Sequence, residues 1–183
     1  MFSRRNLLTT GAAAAIAIAA FPTRGIFADT PVEKVKIVPF SPKGEALPAA
    51  EVDKVVLSDD AWKAKLSPAS YYVARHAGTE RPFSGPLLNE HGTGIFGCVC
   101  CNTALFSSAT KFDSGTGWPS FWQPIAKENV RQKSDSTLGM DRTEVLCARC
   151  DGHLGHVFDD GPQPTGLRYC MNSVSMNFTA TVA

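Results

Sequence analysis

Two Cys-x-x-Cys pairs constrain this chain more than any other feature. Cys98 and Cys101 make the first pair and Cys147 and Cys150 the second, while Cys170 stands apart in Arg168-Tyr169-Cys170-Met171-Asn172. Each pair is a tight turn that aims two sulfurs at one point, and two such turns complete a tetrahedron around one metal ion. Zinc suits a closed all-sulfur site because it has no redox chemistry and accepts tetrahedral geometry, with iron as the competitor. An ion held in this way is structural, tying the strand near Cys98 to the one near Cys147. Two disulfides are the alternative in an oxidising compartment. Cys100 lies inside Cys98-Val99-Cys100-Cys101 and is left out of the ligand set, because only its neighbours have the x-x spacing. It is either a bystander thiol or a helper in catalysis. Cys170, outside both pairs, reads as a reactive thiol.

The compartment depends on the N-terminus. Ser3-Arg4-Arg5-Asn6-Leu7-Leu8 leads into an Ala-rich apolar stretch from Gly11 to Phe21, followed by Pro22. That is the order of a secretory signal, and the paired arginines look like the twin-arginine export motif. Residues 1–28 are therefore expected to be a signal removed near Ala28, which places the mature protein in the periplasm. A membrane anchor is the alternative, disfavoured by the short, Ala-rich core. Because the twin-arginine route carries folded proteins, a thiolate site can be filled before export. Without Arg4, Arg5 and Arg24, 15 basic residues oppose 17 acidic ones, a net charge of about −2. That balance gives counterion release little to work with, so no nucleic-acid partner is expected.

Residues 29–52, with Pro31, Pro39, Pro42 and Pro48, read as an extended linker or an arm on the surface of a domain spanning 53–183. Ser58 before Asp59 and Asp60 is a helix cap with acids in the first turn. Ser67-Pro68 starts a second helix, and Gly78 is a natural stop. Beyond Gly78 turn residues recur and apolar runs shorten, as in a mainly antiparallel β domain. Thr143–Leu146 and His156–Phe158 look like strands. The clearest strand runs from Leu167 to Phe178, with Arg168, Cys170, Asn172, Val174, Met176 and Phe178 on one face.

Three further segments carry chemistry: Gly115-Thr116-Gly117-Trp118-Pro119-Ser120-Phe121, Gly152-His153-Leu154-Gly155-His156-Val157-Phe158 and Arg168-Tyr169-Cys170-Met171-Asn172. Taken singly, the tryptophan could be core, the histidines structural and the cysteine inert. Together with the knuckles and Thr79-Glu80-Arg81-Pro82-Phe83-Ser84-Gly85, they closely resemble the methionine-(R)-sulfoxide reductase family. The resemblance runs from about Val52 to Phe178. It implies two antiparallel sheets packed face to face around the active site, here with two short N-terminal helices and one structural zinc ion.

The resemblance also implies roles. Cys170 matches the nucleophile; His153, His156 and Asn172 match polar groups around the sulfoxide oxygen. Trp118 matches the aromatic wall for the substrate's methyl group, and Phe121 is expected to extend it. Arg168, on the strand face of Cys170, is expected to favour the thiolate. Cys98, Cys101, Cys147 and Cys150 match the zinc ligands. The chain departs from the family's pattern at Thr116, where many members carry a resolving cysteine. The sulfenic acid formed on Cys170 then has three ways back: an external dithiol of the thioredoxin type, Cys100, or a metal thiolate, of which the external dithiol is favoured. The expected substrate is methionine-(R)-sulfoxide, in proteins or free, and the chain is expected to act as a monomer.

Overall fold

Two sheets stack through aromatic side chains, and the reactive segment crosses from one to the other. The computed structural model describes residues 32–136 and 141–182. The twin-arginine segment and the signal boundary lie outside them. Residues from Val32 onward form one compact unit.

The unit begins with a hairpin, β1 (Lys34–Ile37) against β2 (Ala50–Asp53). This hairpin occupies the segment expected to be an extended linker or a surface arm. It is pinned by Asn129, which is fully buried; its Oδ1 accepts from Val38 N and its Nδ2 donates to Val38 O, both at 2.8 Å. Two helices follow, α1 (Asp59–Lys65) and α2 (Pro68–His76). The hydroxyls of Ser58 and Ser67 accept from Ala61 N and Ser70 N, satisfying amides that a helix start leaves without partners. Helix α2 ends on Ala77 in the left-handed region (φ 51°), one residue before the expected Gly78 stop. Gly78 still follows tightly, since a Cβ there would collide with the Tyr72 ring.

The strands then build two sheets. Strands β3 (Gly94–Cys98), β4 (Ala104–Ser107) and β11 (Met176–Ala180) form a three-stranded sheet in the order β11-β3-β4. Strands β5 (Lys111–Phe112), β6 (Ser120–Phe121), β7 (Val130–Asp135), β8 (Arg142–Cys147), β9 (His153–Phe158) and β10 (Arg168–Met171) form a six-stranded sheet in the order β5-β6-β10-β9-β8-β7. All of these pairings are antiparallel. Phe121 of the larger sheet stacks on Phe106 of the smaller (centroids 4.5 Å apart) and meets Phe96 edge-on at 5.0 Å. Leu105, Val145, Leu154, Tyr169 and Met171 fill the same core. Burying each such side chain is worth roughly 1.5–3 kcal/mol.

The expected single strand from Leu167 to Phe178 is two strands in two sheets. After Met171 the chain leaves β10, turns through a short 3-10 helix at Ser173–Ser175, and enters β11 opposite Cys98. Glu80 forces the break: its carboxylate accepts from Ser173 N at 2.7 Å and Val174 N at 3.0 Å, amides that a continuous strand would give to a neighbour. The Ser175 hydroxyl closes the turn on Asn172 O at 2.7 Å. The six-residue alternation therefore does not hold beyond this point.

Candidate active site and metal centre

The two Cys-x-x-Cys segments fold alike. Asn102 N donates to Cys98 O (2.8 Å), and Asp151 N donates to Cys147 O (3.0 Å). Cys98 N and Cys147 N in turn donate to Thr103 O and Gly152 O, both at 2.9 Å. The residue after each second cysteine, Asn102 (φ 60°) or Asp151 (φ 54°), takes the left-handed conformation that Asn and Asp tolerate best among side-chain-bearing residues. The four sulfurs of Cys98, Cys101, Cys147 and Cys150 all lie within 4.8 Å of one another. Cys98–Cys150 and Cys101–Cys147 are 3.6 and 3.5 Å apart. A Zn–S bond of about 2.3 Å gives tetrahedral S···S edges of about 3.8 Å, so the cluster is already shaped for an ion of that size. The six cysteines are all free of disulfide bonds in this structure.

Cys100 is a fifth sulfur in the same place. It is 1% exposed and lies in the same buried cluster as Cys98 and Cys150. It does not line the cavity that holds Cys170.

That cavity, of about 150 Å3, is bordered by Thr79, Trp118, Arg142, His156, Cys170 and Asn172. The sheet register builds it. Glu144, His156, Cys170 and Ser120 sit directly opposite one another on four successive strands, so their side chains share one face. Gly155 permits the close approach of β9 and β10, since a Cβ there would run into the Cys170 carbonyl. Behind this face lie Leu154, Tyr169, Met171 and Phe121, in the core.

His156 Nε2 pairs with Asp135 Oδ2 at 2.8 Å, and Arg142 reaches the same oxygen at 2.7 Å. His153 is buried behind His156, their ring centroids 5.5 Å apart, with Nδ1 2.7 Å from Glu144 Oε1. Its Nε2 has no hydrogen-bond partner among the described residues. Burial lowers the His153 pKa, against the pull of the Glu144 carboxylate. The two histidines are thus a front and a back member of one pair, and only His156 borders the cavity. A bulge between Val145 and Leu146 brings His153 to Glu144, although the two are not cross-strand partners.

Burial also pushes the Cys170 thiol above its ordinary pKa; the charge of Arg168, with hydrogen bonds from Thr116 and Arg168, pulls the other way. Arg168 pulls toward the thiolate, yet burial outweighs it. Part of its charge is taken up by a two-pronged ion pair with Asp160, both bonds 2.8 Å, while its guanidinium lies over Phe158 at 4.5 Å.

Asn172 borders the cavity, but its amide holds backbone: Oδ1 accepts from Glu80 N and Nδ2 donates to Leu154 O, both at 3.0 Å. One Nδ2 hydrogen remains for other partners. Trp118 is half-buried, its indole N–H donating to Glu80 O at 3.2 Å, which fixes the ring as one wall. Phe121 does not extend that wall. It is fully buried on the opposite face, because its neighbour Ser120 is the residue paired with Cys170. An adjoining cavity of about 360 Å3 shares Trp118 and contains no cysteine.

Residues 66–180 match the SelR domain. The chain is similar to the peptide methionine sulfoxide reductase MsrB of Herminiimonas arsenicoxydans, 57% identical over 129 residues, covering 70% of this chain and 94% of that protein. The chain belongs to the SelR (MsrB) family. Another MsrB relative, from Thioalkalivibrio sulfidiphilus, is 56% identical over 124 residues, covering 68% of this chain and 90% of its own. The chloroplastic peptide methionine sulfoxide reductase B1 of Arabidopsis thaliana is 53% identical over 142 residues, covering 76% and 70% respectively. The SelR match opens at Leu66, so the hairpin and all of α1 precede it.

Glu144, Asp135, Asp160 and Glu80 are the site residues that reading the sequence missed. Glu144 alternates with Val145 in a segment recognised as a strand, which signals an outward face but not what that face meets. The other three act across turns or strands with no local signature.

Proposed function

We propose that this chain reduces methionine-(R)-sulfoxide to methionine, with Cys170 as the nucleophile. The observation that carries the reading is the placement of Cys170 opposite His156 at a cavity walled by Trp118. The Cys170 thiolate attacks the sulfoxide sulfur, which becomes electrophilic as its oxygen is protonated. His156 faces the cavity and supplies that proton; Asp135 holds its ring, and the buried His153–Glu144 pair stands behind it. The sulfur–sulfur bond formed in the attack breaks as the oxygen passes to Cys170, leaving a sulfenic acid, so the cysteine sulfur loses two electrons, the substrate sulfur gains them, and methionine departs. The Trp118 wall receives the methyl group, and the polar side opposite receives the oxygen, a division that selects one sulfoxide epimer.

An external dithiol of the thioredoxin class then attacks the sulfenic sulfur. Water leaves, and a mixed disulfide forms that the second thiol resolves. Support for an external partner comes from Thr116 at the position where many family members carry a resolving cysteine, and from Cys100 among the metal ligands, where it would have to abandon its packing to reach Cys170. The ion held by Cys98, Cys101, Cys147 and Cys150 is proposed to be zinc, supplying structural cross-linking alone. The Arg4-Arg5 pair and the apolar run behind it support export to the periplasm, and the protein is proposed to work there as a monomer.

One assay tests the reading. Each methionine sulfoxide epimer is incubated with dithiothreitol and either the native chain or Cys170→Ser. Turnover of the R epimer by the native chain and its loss in Cys170→Ser is the expected result. Undiminished turnover in Cys170→Ser would overturn it.

A further inference from the structure

Thr116 sits between two glycines in the left-handed region, Gly115 (φ 68°) and Gly117 (φ 90°). Asp113 Oδ1 tightens the turn by accepting from Gly115 N at 2.9 Å, and Phe83 N donates to Gly117 O at 2.8 Å on the far side. The turn sets the Thr116 hydroxyl, through Ser114, on the side of Ser120, the residue paired with Cys170, and from there it pulls the Cys170 thiol pKa down. Behind it runs a chain of hydroxyls. Ser114 Oγ is 2.8 Å from Thr116 Oγ1 and 2.8 Å from Ser120 Oγ. Ser120, fully buried and paired with Cys170 across the sheet, donates to Trp118 O at 3.2 Å.

Counting protons shows what such a chain can do. Each hydroxyl has one hydrogen to give and lone pairs to accept with. When Ser120 donates to Trp118 O, Ser114 donates to Ser120 and Thr116 to Ser114, which leaves Thr116 with only an acceptor to offer Cys170. That arrangement suits a protonated sulfur, whose S–H is a donor. When the sulfur is a thiolate, the order reverses: Ser120 donates to Ser114, Ser114 to Thr116 and Thr116 to the sulfur. The bond surrendered is the one to Trp118 O, at 3.2 Å the longest of the three oxygen–oxygen bonds. The bond gained is charge-assisted and stronger than the S–H contact it replaces. Only hydrogens rotate.

We infer that Thr116, Ser114 and Ser120 form a reversible hydroxyl relay that partners Cys170 in both its thiol and thiolate states and favours the thiolate against burial. Thr116 is then a catalytic residue touching the reacting sulfur, and Ser114 and Ser120 are positioning residues acting through it. The inference rests on Cys170 being the nucleophile. The relay does not carry the proton away, since it ends at a carbonyl that can only accept.

The test is the pH dependence of Cys170 alkylation by iodoacetamide in the full metal-loaded chain, followed by mass spectrometry on the peptide containing Cys170. Thr116→Val removes the hydroxyl at nearly constant volume and is expected to raise the alkylation midpoint by about one pH unit. Thr116→Ser is expected to restore the native midpoint, and Ser114→Ala to raise it by a smaller step. Metal content equal to native reports that each variant has folded. Coincident native and Thr116→Val curves would overturn the inference, as would Thr116→Ser shifting as far as Thr116→Val, because volume would then be the cause. Ser114→Ala without any shift would dissolve the relay. No substrate is present, so absence of sulfoxide turnover would sink the proposed function and leave this titration standing.

Discussion

Cys170 and His156 face each other across two adjacent antiparallel strands, the sulfur on β10 and the imidazole on β9. The thiol and its proposed acid are therefore placed by backbone hydrogen bonds, and no loop has to order before they meet. Rigid elements of this kind hold a reacting pair more closely than loops do.

Removing the acid should separate binding from chemistry. His156→Asn is expected to lower kcat by roughly 10²–10⁴-fold, the range for a general acid, with a far smaller change in KM. Steady-state kinetics on the R epimer check this. Iodoacetamide reactivity of Cys170 in the same variant, if abolished, would show that the loss came from the sulfur instead.

Trp118 and Phe121 are nearly adjacent in sequence and opposite in role. Trp118→Ala should raise KM, because it opens one wall of the cavity. Phe121→Ala should cost about 3–5 kcal/mol of stability, because it empties the stack between the two sheets. Urea denaturation beside Michaelis kinetics separates the two. A Phe121→Ala variant as stable as the parent would contradict its placement in the core.

Glu80 serves the active site from a distance by accepting the amides that divert the chain from β10 to β11. Glu80→Ala leaves Ser173 N and Val174 N without that carboxylate and is expected to destabilise by about 1–3 kcal/mol. The check is a lowered denaturation midpoint together with faster amide exchange at residues 173 and 174.

Stripping the metal should loosen both sheets, since Cys98 ends β3 and Cys147 ends β8. A chelator strong enough to remove the ion is expected to lower Tm by ~10 °C or more. Calorimetry with parallel elemental analysis reads this directly, and an unchanged Tm at zero metal content would be the contrary result.

Acid sensitivity follows from His153. Burial holds its folded pKa below the value near 6.5 that it has in the unfolded chain. Protons then bind the unfolded chain more readily, so its contribution to stability is complete above about pH 6.5 and is lost as pH falls through the lowered folded pKa. Urea midpoints measured downward from pH 6.5 should fall less steeply in His153→Gln than in the native chain. Parallel slopes would refute this.

Local features of the sequence were the legible ones. Both cysteine turns, the Ser58 and Ser67-Pro68 caps and the isolation of Cys170 depend on residues within four positions of each other, which spacing records. What was not legible depends on partners far along the chain. Nothing near Glu144 announces that register will set it beside the His153–His156 pair. Nothing near Asn172 announces that Glu80, more than ninety residues earlier, will take two amides and end the strand. Phe121 was misplaced for a related reason: β6 has two residues, too few to show alternation, and only its pairing with β10 reveals which of them faces the thiol.

Asn129 gives the leading hairpin a weight out of proportion to its two short strands. Its buried carboxamide spans from Val38 to Ala104 O at 2.8 Å, bracing sequence ahead of the recognised SelR stretch against sequence inside it. A truncated protein cut to residues 66–180 would strip that amide of its Val38 contacts in both directions and leave its oxygen stranded in the interior. Anyone trimming this enzyme for expression should begin upstream of Lys34.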